Sequence, residues 1–592
     1  MSHKFHIPVL GLGYSIDTPL KVARYGISSV VSIVDDDLIE RMRKYHSEKN
    51  NEEYVEIAKL APNARERRIT AYLNLLDKLV TRQFEALTKQ SFAEGSDLCR
   101  YFDLLPDSSV QKQGYELMKE FEDSERKTIF QDILRKQLKK GSIDVNIMAK
   151  LDKMNYDAGN EFTGEENTDA LAALRGFALS NLSSSVILSA GMNPRLYSYL
   201  EAFPDFVPNE IGEMKKKIIL KVSDFRSGFI QAKFLAKKGL WVSEFRVESG
   251  LNCGGHAFAT DGYLLGPVLE EFKQKRKEMY VELYSTYQAA LAVKGTSFTA
   301  TIPQHLSVQG GIGTADENNF LLNHYQLDVT GWGSPFLLVP EATNVDADTL
   351  KQLERAGDDD FYLSNSSPLG ILFNSFKGSS SEKQRQDRIN KNRPGSPCTK
   401  KYLVSNTEFT EQPICTASRE YQNLKIKQLK SLDLSPEEFE QKMEAVTEKV
   451  CLCEGLCSSA YLKYGITKPK ENKAVAICPG PNLSYFSRTY SLDEMVKHIY
   501  GSVDLLQNVK RPNLFVNELN LYIDYLQKEL SVHVKNLNDK KQKYLVKFKN
   551  ELEHGIAYYK ELFPQLTDQK QKLMNILEDL STAETKLSFI NI

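Results

Sequence analysis

Short β-branched apolar runs, each closed by Gly, Ser or Asp and followed by a helix-like stretch, recur through the first 340 residues. Eight can be counted: Pro8–Gly13, Ser28–Val34, Ile143–Ala149, Ser185–Gly191, Lys217–Ser223, Glu244–Gly250, His305–Gly311 and Leu327–Gly333. Alternating strands and helices predict a parallel sheet, and eight such units meet the requirement of a closed (β/α)8 (TIM) barrel, whose chemistry sits at the C-terminal ends of its strands. An open doubly wound sheet is the alternative. Against it, Gly11-Leu12-Gly13 is only a fragment of the glycine loop that would follow the first strand of such a sheet. The fold class is thus α/β: a TIM barrel with helical insertions, a Cys-containing module and a helical C-terminal tail.

The same pattern divides the chain. Residues 1–34 and 143–340 form the barrel, and 35–142 form a helical insertion in which Tyr72, Leu75, Leu76, Leu79 and Val80 share one face. A second helical stretch, from Leu264 to about Ala292, leaves the C-terminal end of the sixth strand and is expected to cover the mouth. Beyond Glu341 the barrel pattern stops; a Gly/Ser/Lys/Arg stretch from Lys377 to Gly395 reads as an exposed loop, within a cysteine-containing module over 341–503. Residues 504–592 carry long-period helix, read as a packed hairpin with a homodimerisation arm as the alternative.

With 76 Lys+Arg against 78 Asp+Glu, the 592-residue chain carries a formal charge of −2 and no basic field, so nucleic acid is not an expected partner. No apolar run approaches the ~20 residues that span a bilayer. The N-terminus also lacks the apolar core of a signal peptide, so a cytoplasmic protein without a membrane partner is expected.

Eight cysteines are too sparse for a disulfide scaffold, but six of them lie between Cys398 and Cys478. No histidine falls between His324 and His498, so a metal site there would be thiolate-rich, as in an iron–sulfur cluster or structural zinc. Cys398, Cys415, Cys453 and Cys478 are the expected ligands, with Cys451 or Cys457 interchangeable for Cys453. Plain buried thiols are the alternative.

The seventh and eighth runs end in Gly310-Gly311-Ile312-Gly313-Thr314 and Gly331-Trp332-Gly333-Ser334. Glycines at adjacent strand ends let backbone amides approach an anion, and a helix starting at Thr314 would aim its positive end there. The loops after strands seven and eight are the usual phosphate site of such barrels. His256, after Gly254-Gly255 at the end of the sixth strand, is placed to transfer a proton.

These segments, in this order, resemble the nitronate monooxygenase (2-nitropropane dioxygenase) group of FMN-dependent barrels and their enoyl reductase relatives, over about residues 5–340. The carrying segments are Ile7-Pro8-Val9 through Asp17-Thr18-Pro19-Leu20, Ala23-Arg24-Tyr25-Gly26-Ile27, Val145-Asn146, Cys253-Gly254-Gly255-His256, Gly310-Gly311-Ile312 and Gly331-Trp332-Gly333-Ser334. The resemblance implies FMN held by Asn146, Gly254, Gly310, Gly311, Gly331, Trp332, Gly333 and Ser334, with His256 as the proton-transfer residue. It implies an oxidoreductase acting on a small organic substrate. A flavin enoyl-thioester reductase using a pyridine nucleotide and a non-catalytic binding scaffold are the rivals, and an iron–sulfur cluster would add an electron-transfer partner. The chain departs from the family at Ser249 and at Asn252-Cys253, beside the expected flavin, and residues 341–592 have no counterpart in it.

Overall fold

The computed structural model describes residues 2–592 apart from 150, 158, 160, 190, 256–260, 297–299, 534–538 and 568, and apart from the side chains of 532 and 533. Its strands are β1 (Phe5–Ile7), β2 (Ser28–Ser32), β3 (Ile143–Ile147), β4 (Ser184–Leu188), β5 (Lys216–Val222), β6 (Val242–Glu248), β7 (His305–Gln309) and β8 (Val329–Gly331). All are parallel and close in chain order into a barrel, β8 meeting β1 through Phe5↔Thr330 and His6↔Gly331. The (β/α)8 barrel is therefore the fold. The first strand departs from the expected Pro8–Gly13. Pro8 has no amide to give a ladder, so pairing ends at Ile7 and residues 8–13 become a loop at the mouth.

Asp144 on β3 and Arg246 on β6 stand three strands apart yet interact, so both point into the lumen. Arg246 pairs there with Glu244 at 2.7 Å and lies 3.4 Å from Ser307 Oγ of β7. Two-residue alternation then aims Asn146, Glu248 and Gln309 inward one layer nearer the mouth. On the opposite side Val30, Ile187 and Ile219 pack beneath Val9 as a small apolar plug.

Between β2 and β3 the insertion folds as the helices Asp36–Lys49, Ala64–Thr88, Asp97–Asp103, Val110–Lys119 and Glu125–Lys136. The Tyr72, Leu75, Leu76, Leu79 and Val80 face is buried, in part against the helix Asp169–Ala178. The stretch expected to cover the mouth is instead one helix, Leu265–Val293, running down the flank of the barrel. It packs on the helix Phe225–Ala236, and its Tyr280, Tyr284 and Tyr287 surround Trp241 just before β6, at the opposite end of the barrel from the mouth. Apolar residues along its whole length, from Leu265 to Leu291, give it a flank to bury, which a lid would leave in water.

The mouth is roofed by the C-terminal half. An antiparallel hairpin, β9 (Phe361–Ser364) and β10 (Phe373–Phe376), joins the helix Leu452–Tyr464 and the segment 474–480 over the strand ends. The helices Leu514–His533, Asp539–Leu562 and Lys570–Ser588 complete the cover. Barrel and roof share one continuous hydrophobic core. Asp17 ties them together by accepting from His46 Nε2 at 3.0 Å, Asn344 Nδ2 at 2.6 Å and the Tyr464 hydroxyl at 2.5 Å. Among the described residues no helix is long and apolar enough to cross a membrane.

Candidate functional site

Two spaces open at the strand ends. Over β2 to β5 lies a cavity of about 120 Å³, floored by Ser32, Asn146, Ser189 and Lys221 and roofed by Phe373, Tyr402, Leu403, Leu452, Cys453 and Leu456. Asn146 Oδ1 and Ser189 Oγ are buried without a hydrogen-bond partner among the described residues. Polar atoms left so cost ~1–3 kcal/mol each, which a ligand with matching groups would recover. Lys221 Nζ lies 3.2 Å from Glu248 Oε2, and Glu248 Oε1 accepts from Gln309 Nε2 at 2.8 Å, so one charged relay spans β5, β6 and β7. Tyr402 also borders an outer cavity of about 570 Å³ and donates its hydroxyl to Asp36 Oδ1 at 2.9 Å, standing between that vestibule and the mouth.

The second space, about 10 Å³, lies over β7 and β8 and is bordered by Asn252, Cys253, Gln309, Gly310, Gly311, Ile312, Gly331, Gly333, Ser334 and Asn482. Among the described residues the amides of Gly311, Ile312 and Gly333 have no acceptor. Gly311 and Ile312 are buried and Gly333 half-buried, where amides are rarely left so, and three on adjacent strand ends supply the kind of donor an anion site uses. Gly310 and Gly311, with φ of +104° and +78°, make the turn that collects them. A Cβ on Gly333 would come within 2.9 Å of Cys253 Sγ.

The other residues expected at this corner do different things. Thr314 caps the helix Ala315–His324, but Gly313 N donates to Glu317 Oε2 at 2.9 Å, so the chain's own carboxylate already satisfies that helix end. Glu317 in turn pairs with Arg511 at 2.6 Å, and Arg511 Nη2 donates to the Gly311 carbonyl at 2.6 Å. The Trp332 indole turns away from the mouth, donating to Asn318 Oδ1 at 3.2 Å. Gly331 serves the lumen, where a Cβ would meet Gln309 Cβ at 2.6 Å.

Gly254 holds the two spaces apart. A Cβ on it would lie 2.4 Å from Leu10 Cα, so the loop after β6 rests directly on the loop after β1. The Gly254 amide donates to the Cys478 carbonyl at 3.0 Å, and the Cys478 thiol to the Gly255 carbonyl at 3.2 Å. His256 lies outside the described residues. Ser249, where the chain departs from the family pattern, donates to Glu518 Oε1 at 2.6 Å, so that position is spent on the C-terminal tail.

The expected cysteine ligands separate. Cys398 and Cys415 lie near enough that each acts on the other, which lowers the Cys398 thiol pKa and raises that of Cys415, and Cys451 and Cys453 lie within electrostatic reach of them. Cys478 sits instead at the mouth beside Cys253, its thiol pushed by burial up to about 11. Among the described residues no group of three or more His, Cys, Asp or Glu is placed to hold a metal ion. The four-ligand set is thus corrected: roof packing carries Cys478 to the barrel, away from the other three. The contributions of Ser189, Lys221, Glu248, Tyr402, Arg511 and Glu518 were not read from the sequence. Lys221, a charge near the end of the apolar run Ile218-Ile219-Leu220, was the one available signal.

No family model and no curated protein matches the chain. Solved structures similar to it include the enoyl reductase domain of MlnA from the macrolactin biosynthesis cluster of Bacillus amyloliquefaciens, at 14% identity over 64% of this chain and 84% of that one, with a TM-score of 0.34. FabK from Thermotoga maritima is another, at 10% identity over 62% and 78% respectively, with a TM-score of 0.31. The barrel assignment rests on the strand order itself.

Proposed function

We propose that the protein is an FMN-dependent oxidoreductase acting on a small, largely apolar organic substrate at the barrel mouth. The observation that carries this reading is the set of acceptorless amides at Gly311, Ile312 and Gly333, on the two strand ends where barrels of this kind hold a phosphate. These amides, with the Ser334 hydroxyl beside them, would hold the FMN phosphate. Asn146 and Lys221 would meet the polar edge of the ring, and the apolar roof from Phe373 to Leu456 would keep water out. When bound, FMN supplies hydride or single-electron chemistry at its ring. Seating phosphate and ring together requires the loop Leu251–Gly255 to lift from Val9–Leu10. His256, the next residue in the sequence after Gly255, is the proposed proton-transfer residue.

A nitronate and an enoyl thioester are the two substrate classes of the resembling enzymes. Anaerobic reduction by NAD(P)H followed by reoxidation with a 2-enoyl thioester supports the reductase form, and oxygen-dependent turnover of a nitronate supports the monooxygenase form. The contact between Gly254 and Leu10 favours a second reading, a barrel that has lost turnover and serves as a binding scaffold. Protein that is colourless as purified and takes up no added FMN would end the first reading and favour the second.

A further inference from the structure

The loop that supplies part of the roof is closed at its base by a backbone clamp and carries a free cysteine on each side of that base. Ser396 bridges Ser418 in parallel; the Ser396 amide donates to the Ala417 carbonyl at 2.9 Å, and the Arg419 amide to the Ser396 carbonyl at 2.8 Å. A Cβ on Gly395 would lie 2.7 Å from Arg419 Cα, so the two stretches are in direct contact. Cys398 and Cys415 follow and precede this clamp by two and three residues, so both lie at the base of the loop, where each thiol perturbs the titration of the other. Cys398 has a φ of +55°, which non-glycine residues rarely adopt, and is half-buried, whereas Cys415 is 4% exposed. Cys398 is thus the more exposed of the two, and the backbone beside both is pinned.

We propose that Cys398 and Cys415 are a thiol–disulfide exchange pair whose co-reactant is a small-molecule disulfide, with Cys398 attacking and Cys415 resolving. The Cys398 thiolate forms a bond to one sulfur of the disulfide, and the other leaves as a thiol after taking up a proton. The Cys415 thiolate then attacks Cys398 Sγ and expels the second thiol. In total, two protein thiols are oxidised to one disulfide and one small disulfide is reduced to two thiols. The product closes the loop 399–414, which carries Lys400, paired with Asp35, and the roof residues Tyr402 and Leu403. The poise of the pair therefore bears directly on the wall of the mouth cavity. It is independent of whether FMN binds there.

The test equilibrates full-length protein without oxygen in graded mixtures of reduced and oxidised glutathione, quenches with an alkylating reagent and maps every cysteine by peptide mass spectrometry. Cys398 and Cys415 should leave the alkylated pool together as one disulfide-linked peptide pair, while Cys99, Cys253 and Cys457 stay reduced. Cys415→Ser should accumulate glutathione on Cys398 at least about tenfold above wild type, because the resolving thiol is gone, and Cys398→Ser should accumulate none on Cys415. Wild-type mapping decides the matter alone if a variant does not fold. The proposal is overturned if both thiols stay reduced in the most oxidising mixture, if Cys398 pairs with Cys451 or Cys453, or if zinc or iron at about one per chain shields the pair from alkylation.

Discussion

Glu518 is the point where the C-terminal tail enters the barrel mouth, and its removal has a cost that can be worked out. Its carboxyl accepts from Ser249 Oγ at 2.6 Å, Gly250 N at 3.2 Å and Leu265 N at 2.7 Å, on a residue that is 1% exposed. Glu518→Ala leaves two backbone amides and one hydroxyl without an acceptor, at ~1–3 kcal/mol each. Water entering the space recovers part of that, so a net loss of ~3–5 kcal/mol is expected. Glu518→Gln keeps one acceptor oxygen and should lose ~1–2 kcal/mol. Hydrogen exchange read on peptides containing Gly250 and Leu265 reports the local opening directly. Glu518→Ala should speed exchange there by at least about a hundredfold, since 1.4 kcal/mol is one decade. Folded Glu518→Ala protein with exchange within about threefold of wild type would refute the tail's role as a fixed roof.

The same carboxyl has a pH signature. Burial raises its pKa above the ordinary value despite the hydrogen bonds it accepts, so the folded state keeps a proton that the unfolded chain loses. Stability should fall as pH rises from about 4.3 through the raised value, and urea titrations of Glu518→Gln should lack that slope. Asp17 has the opposite sign: burial pushes its carboxyl up, but Lys21, His46 and Tyr464 hold it well below the ordinary range. Its contribution is present above about pH 3.9 and lost below, so Asp17→Asn should destabilise at neutral pH by ~3–5 kcal/mol and flatten the acid limb of the stability profile. Lys221→Met should cost ~3 kcal/mol in urea unfolding by leaving the buried Glu248 without its cation, whereas the double variant with Glu248→Leu should regain most of it. Gly333→Val should remove FMN binding while preserving the fold, because Gly333 keeps an ordinary φ of −105° and its side chain would grow toward Cys253.

The barrel was legible because each strand is a short β-branched run with a turn residue at its end, a local signal repeated eight times. β1 slipped by three residues because Val9 and Leu10 look like strand, and only the missing Pro8 amide distinguishes them from it. The helix Leu265–Val293 was legible as a helix but not in its position. Its apolar stripe states that it packs, and Trp241, which it packs on, precedes it by more than twenty residues. The anion corner was legible in the two glycine segments and the helix that follows the first of them, whereas Arg511 and Asn482 around it are brought there by the tail and the roof. The cysteine grouping was the least legible, because proximity between Cys398 and Cys415 depends on the backbone clamp from Ser396 to Arg419, which no spacing rule encodes.

Titration of the apoprotein with FMN and, in parallel, with riboflavin tests the central claim most directly, since the two differ only in the phosphate assigned to Gly311, Ile312 and Gly333. Charge-assisted hydrogen bonds contribute ~1.5–3 kcal/mol each, so two to three of them predict FMN binding with one site per chain and riboflavin binding at least about 10²-fold more weakly. Equal affinity for the two, or binding of neither, would contradict the assignment of this corner as a phosphate site.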